Sequence, residues 1–168
     1  MEEIIINKVA ESGIITVNIE DMYPKANIVA FDLKPFLFME LILKEKDYRA
    51  SLLQINWSEY QNKHVYITCT ADAIIPMWAY MLAAAYLQPF AQTVTFGNED
   101  RLIENVLLHE IANMNEVDYA DKRVVIKGCG EVNIPVAAYV AVTAKLKPVV
   151  KSIMYGEPCS TVPIYKKK

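Results

Sequence analysis

The chain has 168 residues, 54% of them hydrophobic, and a formal net charge of -3 at pH 7. This length suits one domain with a sizeable core, and the composition excludes general disorder. So small a charge gives no reason to expect a nucleic acid or an anionic membrane as a partner, and the basic run at residues 166–168 is typical of a solvated tail.

The start of the chain and its cysteines predict the compartment. Two acidic residues precede a short apolar run, whereas a secretory signal needs a basic start and a longer apolar stretch. The three cysteines, Cys69, Cys129 and Cys159, cannot all pair in disulfides within the chain. We therefore expect a cytoplasmic protein with free thiols and no membrane partner.

The N-terminal segment, residues 1–35, contains three β-rich runs at residues 4–9, 14–19 and 28–31. Short runs of β-branched residues bounded by turn residues predict strands. We expect these N-terminal strands to lie antiparallel at an edge of a sheet.

The rest of the chain contains an internal repeat, in which Ile75 corresponds to Ile134 and the positions around them correspond in step. The clearest matches are Ile-Pro-x-x-Ala-Tyr at residues 75–80 and 134–139, and Leu-x-Pro at residues 87–89 and 146–148. The predicted segments are two copies, at residues 36–97 and 98–156, and a tail at residues 157–168.

Each copy is predicted to contain a helix, a strand, a second helix and a second strand. Pro76 and Pro135 mark the start of the second helices, because proline at the first helical position loses no hydrogen bond. Pro89 and Pro148 then act as stop signals. The expected ranges are first helices at about 36–55 and 99–114, strands at 65–68 and 124–127, second helices at about 76–88 and 135–147, and closing strands at 94–96 and 152–155.

Strands that alternate with helices predict an α/β fold with one mostly parallel sheet, flanked by helices and joined by right-handed crossovers. No linker rich in glycine or serine interrupts the chain, so we expect residues 1–168 to form a single domain. The repeat also argues against a membrane span at residues 73–98, which contain no charged residue, because the matching segment carries three lysines.

The candidate site lies at the carboxyl ends of the predicted strands, where open parallel sheets bind ligands. Cys69, Cys129 and Cys159 follow three of these strands at distances of one, two and four residues. If the strands share one sheet, all three thiols lie along one edge and are candidate catalytic residues. The alternative is that each cysteine packs as a small hydrophobic residue.

Two carboxylates recur at the same edge. Asp72 and Glu131 occupy matching positions shortly before Pro76 and Pro135, where the N-termini of the second helices favour negative charge. They are candidate ligand-binding residues. The alternative is that they are ordinary acids at the start of a helix.

The segment at residues 156–163 combines one glycine with two prolines. Glu157, Ser160 and Thr161 are candidate ligand-binding residues here, because successive backbone N–H groups can bind an anion or stabilise a neighbouring thiolate. The alternative is a turn that sends residues 162–165 back along the sheet.

A metal site is possible but has no support from residue spacing, and any cofactor stays unknown. The chain has no Cys-x-x-Cys or His-x-x-x-His pair. His64 opens a strand and so lies at the opposite edge from the cysteines, and His109 lies on a helix. Residues 128–130 read Gly-Cys-Gly, but Asn133 stands where a dinucleotide fingerprint needs its third glycine.

Four motifs carry a resemblance to a known family: KEKDYR at residues 44–49, TADAIIPMWAY at 70–80, VVIKGC at 124–129 and KSIMYGEPCSTVP at 151–163. Over nearly its whole length the chain resembles the bacterial family called domain of unknown function 2480. Members of that family are encoded near iron–sulfur cluster assembly components. The resemblance therefore implies a role in sulfur or iron–sulfur handling, with sulfur or iron–sulfur assembly proteins as partners, and it implies no catalytic residue.

Three hypotheses follow. The leading one is an accessory protein of thiol, sulfur or iron–sulfur cluster metabolism that uses cysteines at the carboxyl edge of the sheet. The second is a non-catalytic, homo-oligomeric interaction or scaffold protein, motivated by aromatic residues that are able to lie exposed. The third is a small-molecule enzyme that uses Asp72 or Glu131 as a base. The aromatic residues that motivate the second hypothesis are Trp57, Tyr60, Trp78 and Tyr80.

Overall fold

The computed structural model describes residues 13–128, 130–157 and 160–168. In these residues the elements, in chain order, are β1 (Ile14–Asn18), β2 (Ile28–Asp32), β3 (Leu37–Phe38), β4 (Ile42–Leu43), α1 (Glu45–Leu52), β5 (His64–Thr68), α2 (Met77–Leu87), β6 (Thr93–Phe96), α3 (Glu99–Ala112), β7 (Arg123–Lys127), α4 (Val136–Leu146), β8 (Ser152–Glu157) and β9 (Ser160–Lys166). Helices and mainly parallel strands confirm the predicted α/β class.

The chain forms two compact units. The inner unit comprises Pro24–Val106, and the terminal unit comprises Met1–Tyr23 and Leu107–Lys168. The division falls within α3, which runs from Glu99 to Ala112. That residues 1–168 behave as a single domain stays a prediction.

The inner unit contains a parallel sheet in the order β2-β5-β6. Helix α2 is the crossover between β5 and β6, and it buries Ala79, Ala83 and Leu87 at helical spacing. The fully buried Tyr48 of α1 donates a hydrogen bond from its hydroxyl to the carbonyl oxygen of Ala79, at 3.0 Å. This bond ties α1 to the crossover helix across the core.

Aromatic residues complete the core of the inner unit. Trp57 stacks on Tyr86 with ring centroids 5.0 Å apart and on Phe31 at 5.5 Å. Its indole N–H donates to the carbonyl oxygen of Leu52 at 3.0 Å. Trp57, Tyr60, Trp78 and Tyr80 are all partly buried against this core. These aromatics, which the sequence suggested as an exposed surface, therefore contribute mainly to packing.

The terminal unit contains a four-stranded sheet in the order β1-β7-β8-β9. Strands β1, β7 and β8 run parallel, and β9 runs antiparallel to β8. Helix α4 is the crossover between β7 and β8 and buries Ala138, Val142 and Leu146. The antiparallel β9 confirms the alternative in which the end of the chain returns along the sheet.

From the turn before the middle strand to the crossover helix, the elements of the two units recur in the register that the sequence repeat predicts. Helices α2 and α4 begin at Met77 and Val136, and each follows a proline in extended conformation. The turn before β5 has Asn62 at φ 57°, and the turn before β7 has Asp121 at φ 54°. A common origin of the two units by duplication stays a prediction.

The predicted helix at 36–55 is wrong in its first half, because only Glu45–Leu52 is helical. Leu37–Phe38 and Ile42–Leu43 pair as a small antiparallel hairpin. Met39 and Glu40 both have positive φ, 52° and 58°, as in the tight turns that join such strands. Isolated apolar residues fit either a short hairpin or a helix, so their spacing could not separate the two.

The N-terminal strands also differ from the prediction. Strand β1 pairs parallel with β7, and β2 pairs parallel with β5, so these two strands are not antiparallel. They lie in two separate sheets, one in each unit, and each supplies a parallel neighbour to a middle strand. Residues 4–9, predicted as a further strand, lie outside the described residues.

No helix among the described residues is long and apolar enough to cross a membrane. The uncharged segment at residues 73–98 forms α2 and β6, joined by a short loop, within the inner unit.

Candidate functional site

The candidate site of the inner unit is the edge formed by the carboxyl ends of β2, β5 and β6. Cys69 directly follows Thr68, the last residue of β5, as the sequence predicted. Its thiol is partly buried and lies with Sγ 3.8 Å from the carbonyl oxygen of Ala71. Cys69 thus sits where ligands of parallel sheets bind.

Asp32, the last residue of β2, holds the loop that carries Cys69. Its carboxylate accepts hydrogen bonds from the backbone N–H of Lys34 at 2.9 Å and of Thr70 at 3.0 Å. It also accepts one from the hydroxyl of Thr70. Slight burial acts to raise the pKa of Asp32, but these hydrogen bonds and the charge of Lys34 hold that pKa below its usual value.

Tyr80 of α2 faces the same edge. Its ring packs edge-on against Phe96, the last residue of β6, with centroids 5.1 Å apart. Burial raises the pKa of the Tyr80 hydroxyl, and the negative charge of an ionised Cys69 raises it further. The Tyr80 phenol therefore stays protonated at neutral pH.

The terminal unit has a matching tyrosine with a different partner. Tyr139 donates a hydrogen bond from its hydroxyl to the carbonyl oxygen of Gly128 at 2.7 Å, and its ring packs edge-on against Tyr155 at 5.7 Å. A Cβ atom at Gly128 would lie only 2.6 Å from the tyrosine hydroxyl. Gly128 and Tyr139 are the counterparts of Cys69 and Tyr80 in the repeat, so the position that is glycine in the terminal unit is a cysteine in the inner unit.

Glu20 holds the corresponding loop of the terminal unit. Its carboxylate accepts a hydrogen bond from the backbone N–H of Gly130 at 2.7 Å. A Cβ at Gly130 would lie 2.5 Å from both carboxylate oxygens, so glycine leaves space for this contact. Each unit therefore holds the loop after its middle strand with a carboxylate that lies at or shortly after the end of its first strand.

Asp32 and Glu20 were not among the residues predicted from the sequence. Their signal was present, because Asp32 directly follows the apolar run at 28–31 and Glu20 follows the run at 14–19. An acid at the carboxyl end of a strand lies at the ligand edge just as a cysteine there does. The predicted acids, Asp72 and Glu131, lie instead shortly before the two prolines.

The carboxylates that were predicted lie on the loops before the crossover helices. Asp72 precedes α2, Glu131 precedes α4, and both side chains are exposed. Their placement matches the expectation. Their role in binding a ligand stays a prediction, beside the alternative that they only complement the positive ends of the helices.

Three residues predicted to lie on a loop, Glu157, Ser160 and Thr161, lie in strands instead. Glu157 is the last residue of β8 and forms an ion pair with Lys127, with Nζ and Oε1 2.8 Å apart. Ser160 and Thr161 begin β9 and pair with Glu157 and Gly156. Anion binding by these residues stays a prediction, but all three belong to the ladder of β8 and β9.

Cys129 and Cys159 lie outside the described residues, so the convergence of three thiols stays a prediction. β5 and β7, which were expected to share one sheet, belong to different sheets. Within the described part of the chain, no three histidine, cysteine or acidic side chains group as a metal site. His64 is buried at the amino end of β5, with Nδ1 2.8 Å from the hydroxyl of Thr93, as expected for the opposite edge.

The family comparison accounts for almost the whole chain. The family model described as a protein of unknown function, DUF2480, matches residues 3–167. The chain belongs to the DUF2480 family. A search of curated proteins and a search of solved structures found no match to this DUF2480 chain. The resemblance suggested by the four motifs is thereby confirmed, and the role of each site residue rests on geometry.

Proposed function

We propose that this DUF2480 protein is a cytoplasmic accessory factor of thiol, sulfur or iron–sulfur cluster metabolism, and that Cys69 takes part through its thiol. The observation that supports this best is the position of Cys69. It directly follows the middle strand of a parallel sheet, and its side chain is only partly buried. Proteins of sulfur or iron–sulfur assembly are the partners that fit this role.

The surroundings of Cys69 suit sulfur chemistry in two ways. Tyr80 carries a protonated hydroxyl at the same edge, and donation from it to the sulfur would favour a thiolate, which is the nucleophilic form of cysteine. Asp32 fixes Thr70, the next residue, through its backbone N–H and its hydroxyl. The residue after Cys69 is therefore held in place, and Cys69 itself is only partly buried.

Native alkylation tests this proposal. We expect iodoacetamide at neutral pH to label Cys69 in the folded protein, with modification measured by peptide mass spectrometry against time. The Cys69→Ser variant supplies the control for the labelled peptide. Tyr80→Phe keeps the ring packing on Phe96 and removes the donor, so it should slow the labelling several-fold. Resistance of native Cys69 to alkylation, with full labelling in urea, would sink the proposal.

A second candidate function is a homo-oligomeric interaction protein, and the outer face of α2 favours it. Ile74, Met77 and Met81 are 95%, 72% and 71% exposed and lie along one side of the helix and the loop before it. The segment from Ala73 to Asn98 contains no charged residue. Two copies of this neutral face can meet about a twofold axis without opposing like charges, so a second copy is the occupant that it fits.

Oligomeric state tests the second candidate. We expect a dimer by sedimentation velocity at micromolar concentration, and Met81→Glu should convert it to a monomer because a charge would enter the interface. Leu41→Glu is the matched control, since Leu41 is 61% exposed on the hairpin loop instead of on α2. A wild-type monomer, or a Met81→Glu dimer, would contradict this candidate. The Cys69→Ser variant should dimerise normally, which separates the two functions.

A further inference from the structure

We propose that the terminal unit binds a small, uncharged aromatic molecule in an apolar cavity of about 250 Å³. The cavity lies beside α4 and the strands β7, β8 and β9, and it does not depend on the thiol function proposed above. It is lined by Ile126, Tyr139, Thr143, Tyr155 and Ile164.

A β-bulge builds one wall of this cavity. Met154 of β8 pairs with Pro163, and Ile153 pairs with Tyr165, so Ile164 is an extra residue without a partner in the ladder. Bulges of this kind redirect a side chain. Ile164 lines the cavity and remains 52% exposed, and Tyr155 is 36% exposed. These two residues mark the side from which a ligand enters.

The inner unit provides an internal comparison. The repeat places Ile67, Tyr80, Ala84 and Phe96 at the positions equivalent to four of the lining residues. Ile164 has no counterpart there, because within the described residues β6 pairs only with β5, whereas β8 also pairs with β9. The added strand therefore distinguishes the terminal unit. Ile67 lies in the unit that lacks this wall, so its signal is an internal control for binding.

The lining selects an uncharged ligand. The hydroxyl of Thr143 donates to the carbonyl oxygen of Tyr139 at 2.7 Å, and the Tyr139 hydroxyl donates to that of Gly128, also at 2.7 Å. The protons of these two hydroxyls are thus donated to the backbone and are not offered to an anion. Burying an unpaired charge among the remaining apolar groups would be costly.

The two tyrosine rings favour an aromatic ligand. Tyr139 and Tyr155 stand at 83° to each other with centroids 5.7 Å apart, so they present both a ring face and a ring edge. An apolar cavity of about 150 Å³ holds benzene, and by proportion this cavity holds about ten non-hydrogen atoms. A two-ring molecule such as indole fits that limit, whereas a segment of folded chain does not.

Methyl NMR tests the site with indole as the probe. In protein labelled at the isoleucine δ1 methyl groups, the signals of Ile126 and Ile164 should shift and saturate as indole is added, while that of Ile67 should not. An indole carboxylate should bind at least tenfold more weakly. Shifts that stay linear up to the solubility limit, or equal shifts at Ile67, would overturn the proposal.

Two variants at one position make the result decisive. Ile164→Phe should weaken indole binding at least tenfold by filling the cavity, and Val117→Phe, at a 76% exposed position of the same unit, should leave it unchanged. Ile164→Ala removes the same wall without adding bulk and should weaken binding at least fivefold. Should the phenylalanine variant fail to fold, the alanine variant alone decides, and unchanged affinity in it contradicts the site.

Discussion

The hairpin of β8 and β9 depends on a glycine, and we expect Gly156→Ala to destabilise the protein strongly. Gly156 has φ 120°, a conformation that residues with a side chain rarely adopt. A Cβ atom there would also lie 2.6 Å from the backbone carbonyl oxygen of Ser160. Since the obstructing atom belongs to the backbone of the paired strand, the strand itself would have to move.

The magnitude follows from these two costs. A residue held in a sparsely populated conformation costs about 1–3 kcal/mol, and forcing extra bulk into a packed site costs about 1–3 kcal/mol more. We therefore expect Gly156→Ala to lower the free energy of unfolding by about 2–6 kcal/mol. Losses above about 4 kcal/mol are exceptional for single substitutions, so the effect is readily measured.

Gly97→Ala is a matched control at the equivalent position of the inner unit. Gly97 has φ 129°, but the nearest atom to its Cβ would be Cδ of Arg101, at 3.0 Å, on a flexible side chain. Only the conformational cost of about 1–3 kcal/mol should remain. The loss of freedom in the unfolded chain is the same in both substitutions and cancels in their comparison.

Urea unfolding measures both variants. Far-UV circular dichroism follows the whole chain, whereas the two tryptophans, Trp57 and Trp78, both lie in the inner unit and report on it by fluorescence. Hydrogen exchange of the β8 and β9 amides locates the loss in Gly156→Ala. Equal destabilisation by the two substitutions, or a milder effect at Gly156, would refute the argument from the Ser160 carbonyl.

Three further substitutions test the contacts described above. Tyr48→Phe should lower the free energy of unfolding by about 1 kcal/mol, because it removes the buried hydrogen bond to Ala79, and urea unfolding by tryptophan fluorescence measures it. Asp32→Asn should cost a few tenths to about 1 kcal/mol at neutral pH. Because the pKa of Asp32 is lowered on folding, its contribution is present above the unfolded pKa and is lost as pH falls through the folded pKa. In an acid titration of stability, wild type and variant should therefore begin to converge below about pH 4, near the unfolded pKa, and coincide only below the folded pKa. A difference that persists at pH 2 would contradict this. Glu157→Gln should cost about 0.5 kcal/mol, because its ion pair is exposed, and the difference should disappear in 1 M NaCl.

Only those residues of the candidate site that adjoin a predicted strand in the sequence could be located from the sequence. Cys69 was located correctly, because a residue that directly follows a strand lies at the carboxyl end of that strand. Asp32 was missed, since its partner Thr70 lies 38 residues away and is brought to it by the pairing of β2 with β5. The contact between Glu20 and Gly130 spans 110 residues and has the same origin. Residue spacing along the chain cannot show such contacts.

The sequence by itself determined the local elements and their recurrence. Proline at the start of the crossover helices, and apolar runs before them, specify β5, α2, β7 and α4 through short-range chemistry. Positive-φ turn residues sit at equivalent positions for the same reason. The hairpin at residues 37–43 was not predicted, because the spacing of a few apolar residues fits both a helix and a strand.

Only the tertiary structure decided which strands pair. β5 and β7 lie in separate sheets, in which β2 pairs with β5 and β1 pairs with β7. Such pairing joins residues far apart in the chain and is governed by which faces are buried. That choice separated the predicted common edge into one edge per unit. It placed a cysteine beside a tyrosine in the inner unit, and it let β9 close an apolar cavity in the terminal unit.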